Sequence, residues 1–305
     1  MNKIPTIALV GNAPQEKYDV LNAVLDDESL SSLCEVQLYG ADGQAEREAL
    51  RDAIDDYQDG IVNGIVCLPT STPLAELLSE VMGEGAKDVL PIMVNDKSRL
   101  AQLTLTFPFP LETLVSASQL LSKALKRDLG ILNPRIAVTS LNEEISTEEG
   151  SAEITTIAPA VSELVKQGVQ AFGPIAYKKV FEGDDYTAFD AVMQMKQGQC
   201  DEAFRALSDE TPVMLMTGIE VPIAQTEAEG LIHAIGLVMD AERNRKAYDE
   251  PFENPLPKLY HEKKEDGDKA RFAVKKKGFN PAEHRRENVT YITANNPAQD
   301  AESKN

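Results

Sequence analysis

The chain has 305 residues, 42% of them hydrophobic and 26% charged, enough to bury a sizeable core and to form two domains. Its formal net charge of −20 argues against binding to a phosphate backbone. Three widely spaced cysteines (Cys34, Cys67, Cys200) give neither a disulfide framework nor a CxxC metal site.

In chain order, Ile4 to Val10 reads as a strand, entered directly from Met1 with no signal peptide. It ends at Gly11-Asn12-Ala13-Pro14, a turn and only weak evidence for a phosphate loop. Val20, Leu21, Val24 and Leu25 mark a helix, and Val36 to Tyr39 a strand closed by Gly40. Residues 45–57 form a helix with an acidic outer face, and Ile61 to Leu68 is the next strand. This βαβαβ rhythm predicts a parallel sheet with helices on both faces. In Pro69-Thr70-Ser71-Thr72-Pro73 the hydroxyls could meet a phosphate, but the better reading is Thr72 as a helix N-cap before Pro73.

Val89 to Val94 and Leu100 to Thr106 read as strands, and Phe107 and Phe109 as packing residues. Leu114, Ala117, Leu121 and Leu125 recur at helical spacing, with Lys123, Lys126 and Arg127 at the negative end of that helix. Gly130 stops it, and Pro134 keeps it stopped. Arg135 to Thr139 is a short apolar run suited to a buried parallel strand, with Ile136 and Val138 expected on opposite faces. Ligands bind beyond the carboxyl ends of such strands, which singles out Ser140, Asn142, Glu143 and Glu144.

Further on, Ile154, Ile157, Ala158, Val161, Leu164 and Val165 form a helical stripe that Pro159 should kink. Val169 to Phe172 is a short strand followed by a turn at Gly173-Pro174. Phe189 to Met195 and Val213 to Thr217 are buried strands, and residues 227–248 a long closing helix. Beyond Pro251 the composition turns charged and poor in apolar residues, a flexible tail that carries a slight excess of cations on an acidic protein. No apolar run reaches the ~18 residues of a membrane span, and a reducing cytoplasm is the simplest home.

Arg127-Asp128-Leu129-Gly130, Pro134-Arg135-Ile136-Ala137-Val138, Leu141-Asn142, the Gly173-Pro174 turn and Phe189-Asp190-Ala191-Val192 together resemble the 4-hydroxythreonine-4-phosphate dehydrogenase (PdxA) family of vitamin B6 synthesis. The match covers roughly residues 97 to 245. It implies an α/β fold of two open α/β/α domains, isocitrate/isopropylmalate dehydrogenase-like, with a cleft between them. Their bounds would be 1–100 with 222–250, and 101–221, leaving 251–305 as the tail. It also implies a homodimer in which NAD oxidises a phosphorylated hydroxy amino acid, with three histidines holding a divalent metal.

Carried over residue by residue, those metal histidines fall on Pro108, Glu144 and Gln197. Asn142 is retained. A substrate-binding lysine falls on Arg205 and a substrate-binding arginine on Gln225, ahead of Thr226. The chain's own histidines are His233, within a helix, and His261 and His284 in the tail. No GxSxG, Walker A or GxGxxG motif supplies another catalytic set, so no catalytic residue is assigned. The expected binding residues are Arg205, Ser140 and Asn142, for a small phosphorylated ligand. A metal is not expected, NAD is allowed by the resemblance, and neither nucleic acid nor a membrane is a partner. The first reading is a homologue that has lost its metal chemistry and serves in binding or regulation. The alternative is an active NAD-dependent oxidoreductase with changed metal ligands.

Overall fold

Short apolar runs between turn residues become strands, and longer runs with a helical stripe become the helices that cover them. The computed structural model describes residues 4–11, 18–40, 44–103 and 105–249. The expectations for residues 12–14, for Thr104 and for the 251–305 tail lie outside these. The elements are β1 (Thr6–Val10), α1 (Tyr18–Leu25), α2 (Glu28–Leu33), β2 (Glu35–Tyr39), α3 (Glu46–Gln58), β3 (Ile65–Cys67), α4 (Leu74–Met82), β4 (Leu90–Val94) and β5 (Arg99–Gln102). There follow α5 (Leu111–Arg127), β6 (Arg135–Thr139), α6 (Ala158–Lys166), β7 (Gln170–Ile175), β8 (Ala191–Gln194), α7 (Asp201–Ala206), β9 (Val213–Thr217), β10 (Ile223–Gln225) and α8 (Leu231–Asp249).

The α/β class holds, but the sheet is single and mixed rather than parallel. Its ten strands run in the order β2-β1-β3-β10-β9-β4-β5-β8-β6-β7. β2, β1, β3 and β10 are mutually parallel, as are β5, β8, β6 and β7. Between these blocks β9 is antiparallel to both β10 and β4, and β4 is antiparallel to β5. The two parallel blocks therefore point in opposite directions. The carboxyl ends of β3 and β10 lie on one edge of the sheet, and those of β5, β8 and β6 on the other. The domain boundary expected at residue 100 falls inside β5, and the one at residue 221 falls in the β9–β10 hairpin.

Several local expectations need correction. Ile136 and Val138 are fully buried but share one face, because side chains two apart on a strand point the same way. Ala137 packs on the opposite face with Met93, Leu100, Val192 and Phe204. Gly173-Pro174 lies within β7 rather than opening a turn. Glycine is required there, since a Cβ would come within 2.5 Å of the Val138 carbonyl oxygen. Thr72 is not a cap: Pro73 holds the N-cap position of α4 without a side-chain hydrogen bond. Pro159 sits in the first turn of α6, where its missing N–H breaks no helical bond. The widened turn before it, Glu153–Ile157, is π-helical, and Ile154 is turned out to solvent.

α8 closes the molecule over β3, β9 and β10. It approaches so closely that a Cβ at Gly64 would stand 2.1 Å from Val238 Cγ1. Its other contact is with α5, where Arg245 meets Asp128 and Arg127 bridges Glu220 and Asp249.

Candidate functional site

The residues suggested by the sequence separate onto two edges of the sheet. On the edge formed by the carboxyl ends of β3 and β10 lies a cleft of about 250 Å³ that Arg205 lines. Thr70 follows β3, Gln225 and Thr226 close β10, and Thr211 and Pro212 lead into β9. Met93 and Met214 supply an apolar wall, and Glu227 a carboxylate.

Arg205 is placed there by a short helix pinned at both ends. Cys200 N donates to Gln194 Oε1 at 2.9 Å, and Gln194 Nε2 donates to Asp201 Oδ1 at 3.0 Å, fixing the start of α7 to β8. At the other end, fully buried Phe204 packs on Phe181 with ring centroids 5.9 Å apart. The Phe204 carbonyl accepts from Asn95 Nδ2 at 3.1 Å. Asp201 is thereby engaged with Gln194, and among the described residues the exposed Arg205 guanidinium has no ion-pair partner.

The other polar groups of this cleft are partly engaged. Gln225 Nε2 donates to Thr70 Oγ1 at 3.2 Å and to the Leu68 carbonyl at 3.4 Å. Thr70 Oγ1 donates to the Thr72 carbonyl at 2.6 Å. Thr226 is 4% exposed, and its Oγ1 is buried with no partner among the described residues.

Ser140 and Asn142 do not join Arg205. They follow β6 on the opposite edge, and their polar groups are engaged within the protein. Ser140 Oγ donates to the Asn142 carbonyl at 2.5 Å and accepts from Tyr177 N at 3.3 Å. The organiser of this turn is Glu153, 1% exposed, which no sequence motif singled out. Its Oε1 accepts from Leu141 N at 3.1 Å and Asn142 N at 3.0 Å, and both its oxygens accept from Asn142 Nδ2 at 3.2 Å.

The three positions assigned to metal ligands are carried by loops that do meet, at the carboxyl ends of the adjacent strands β5, β8 and β6. Leu105 N donates to the Met195 carbonyl at 3.1 Å, joining the loops that carry Pro108 and Gln197. Gln199 Nε2 donates to the Ser140 and Leu141 carbonyls at 2.9 and 3.1 Å, joining the latter to the loop that carries Glu144. Glu144 is exposed on the rim of a cleft of about 700 Å³, together with Lys179, Asp185 and Phe189. The neighbouring Glu143 is paired with Lys178. A pyrrolidine ring, one exposed carboxylate and one neutral carboxamide do not fit a divalent ion that requires three nitrogen or oxygen donors from the protein. Among the described residues no group of three or more His, Cys, Asp or Glu side chains could hold a metal. His233 stands apart, its Nδ1 3.7 Å from Glu210. Among the described residues no helix is long and apolar enough to cross a membrane.

Comparison with known proteins places this geometry in a family. The chain is 31% identical over 218 residues to the 4-hydroxythreonine-4-phosphate dehydrogenase of Bacteroides thetaiotaomicron, covering 64% of this chain and 59% of that one. It thus spans about three fifths of that relative's length. The fold is similar to that of 4-hydroxythreonine-4-phosphate dehydrogenase from Klebsiella pneumoniae, with a TM-score of 0.57 and 17% identity over 78% of this chain and 88% of that one. It is also similar to that of a branched-chain phosphotransacylase from Enterococcus faecalis, with a TM-score of 0.53 and 15% identity over 78% of this chain and 99% of that one. One scaffold thus carries different reactions, and likeness at this level speaks for fold alone. The family model for the pyridoxal phosphate biosynthetic protein PdxA matches residues 12–227, most of the chain, and this protein belongs to the PdxA family.

Proposed function

We propose that this protein is a PdxA-family member that has lost metal-assisted dehydrogenation and works by binding a small anionic ligand in the Arg205 cleft. The observation that carries this reading is the donor set at the carboxyl ends of β5, β8 and β6. The loops there are tied together by backbone and side-chain hydrogen bonds, yet they present Pro108, Glu144 and Gln197. An ion able to polarise a substrate hydroxyl would need more than one anionic or imidazole ligand to stay bound. Arg205 supports the binding half of the proposal. Its guanidinium faces a cleft with no carboxylate partner among the described residues, and guanidinium is suited to planar oxyanions.

NAD enters this reading only through the activity of the named relatives. Gly11, at φ +97°, closes β1, and residues 12–17 beyond it lie outside the described ones. The resemblance also carries the expectation of a homodimer, which a sedimentation experiment would read directly.

The test is an assay of NAD reduction with 4-phosphohydroxythreonine, with magnesium, manganese or zinc added. The expected result is no turnover above the protein-free control. Turnover that depends on added metal would support the other reading, an oxidoreductase with changed ligands.

A further inference from the structure

We propose that the Arg205 cleft takes a small zwitterion, an α-amino acid with a short apolar side chain, in preference to a phosphate ester. The inference rests on the reading of this cleft as a ligand site and names its occupant.

The charges come first. Arg205 is the one cation and Glu227 the one carboxylate among the residues that line the cleft. A phosphate monoester carries a charge between about −1.5 and −2 at neutral pH and offers three strong acceptor oxygens. It would meet a single guanidinium and be repelled by Glu227. An amino acid presents one unit of each sign, its carboxylate for Arg205 and its ammonium for Glu227.

The donors agree. Gln225 directs its amide N–H groups to Leu68 and Thr70, and Thr70 directs its hydroxyl to the Thr72 carbonyl. Neither has a donor left for an anion. The Arg205 guanidinium and the buried Thr226 hydroxyl remain. One guanidinium satisfies one carboxylate through two parallel N–H···O bonds. It leaves at least one oxygen of a phosphate without a charged partner.

Size and lining complete the argument. A cleft of about 250 Å³ is below the range usual for cofactor-sized ligands. Met93 and Met214 form a polarisable wall that adapts to a short alkyl or thioether chain.

The experiment is calorimetric titration of the full chain with four probes: L-norvaline, pentanoate, butylamine and glycerol 3-phosphate. Norvaline should bind at least about tenfold more tightly than each of the other three. Arg205→Ala and Glu227→Gln should each weaken norvaline about ten- to a hundredfold, the range for losing one charge-assisted contact. Both residues are exposed, so the variants should fold, and unchanged circular dichroism would confirm it. Arg205-dependent binding of glycerol 3-phosphate tighter than that of norvaline would overturn the zwitterion assignment and leave the cleft a ligand site. Absence of Arg205-dependent binding for all four probes would overturn the assignment and the site together.

Discussion

Arg245 Nε donates to Asp128 Oδ1 at 2.8 Å, and the two side chains are only 4% and 3% exposed. The pair fastens the end of α5 to the last turns of α8, 117 residues apart in sequence. Arg245 Nη1 also donates to the Glu220 carbonyl at 2.8 Å, but Nη2 has no partner among the described residues. Removing one member strands a buried charge, so Asp128→Ala should cost about 3–5 kcal/mol in urea unfolding. Replacing both, Asp128→Leu with Arg245→Met, should cost clearly less. A single variant as stable as the wild type would mean that the pair is solvated in solution.

The second prediction concerns β6. Ile136 is fully buried in the core under α5 and α6, beside Val138 on the same face. Ile136→Asp would place a carboxylate there without a partner, a penalty of several kcal/mol against a domain stability of about 5–15. The variant should be recovered mainly unfolded or aggregated. Ala137→Ser, on the opposite face, is much smaller in volume change and should remain folded.

A third prediction separates the two edges of the sheet. Glu153→Gln keeps the shape but weakens the carboxylate acceptor for Leu141 and Asn142. Losing charge-assisted bonds to a buried acceptor should cost about 1–3 kcal/mol and speed amide exchange in residues 140–145. Ligand binding at Arg205 should be unchanged, since that cleft sits at the ends of β3 and β10. Loss of both together would show that the two edges are coupled.

The fourth concerns the thiols. Cys34, Cys67 and Cys200 are free and buried. Burial pushes the Cys67 and Cys200 thiols up to about 12 from the ordinary 9.0, and raises that of Cys34 as well. The thiolate is the reactive form, so native protein at pH 8 should react slowly with a disulfide reagent, and unfolded protein rapidly. The linkage has a definite sign. A raised folded-state pKa stabilises fully below the unfolded value, so stability should fall as pH rises from about 9 towards 12. Fast modification of all three thiols in native buffer would contradict this packing.

Much of the fold was legible because its strands are apolar runs flanked by breakers. β6 and β9 occupy the residues their patterns indicate, and β1 and β2 come within a residue or two. β10 escaped notice because three residues, Ile223 to Gln225, make too short a run to carry a period. Strand direction was not legible at all, since a doubly buried strand looks the same read parallel or antiparallel. That explains why Ser140 and Asn142 were grouped with Arg205. In an all-parallel sheet the ends of β3, β10, β6 and β8 would share an edge, whereas the antiparallel β9 and the β4–β5 hairpin reverse half of the sheet. Arg205, Gln225 and Thr226 were reached through family resemblance, and the fold does bring them to one cleft. Glu153 was missed because a single acid within a helical stripe carries no signal of burial.

The central claim is that the edge carrying Pro108, Glu144 and Gln197 no longer holds a metal. The direct measurement is elemental analysis of the purified protein after incubation with zinc, manganese and magnesium salts, followed by desalting. The expected result is well below one ion of any of them per chain. One tightly retained ion per chain, lost in a Glu144→Ala variant, would contradict it.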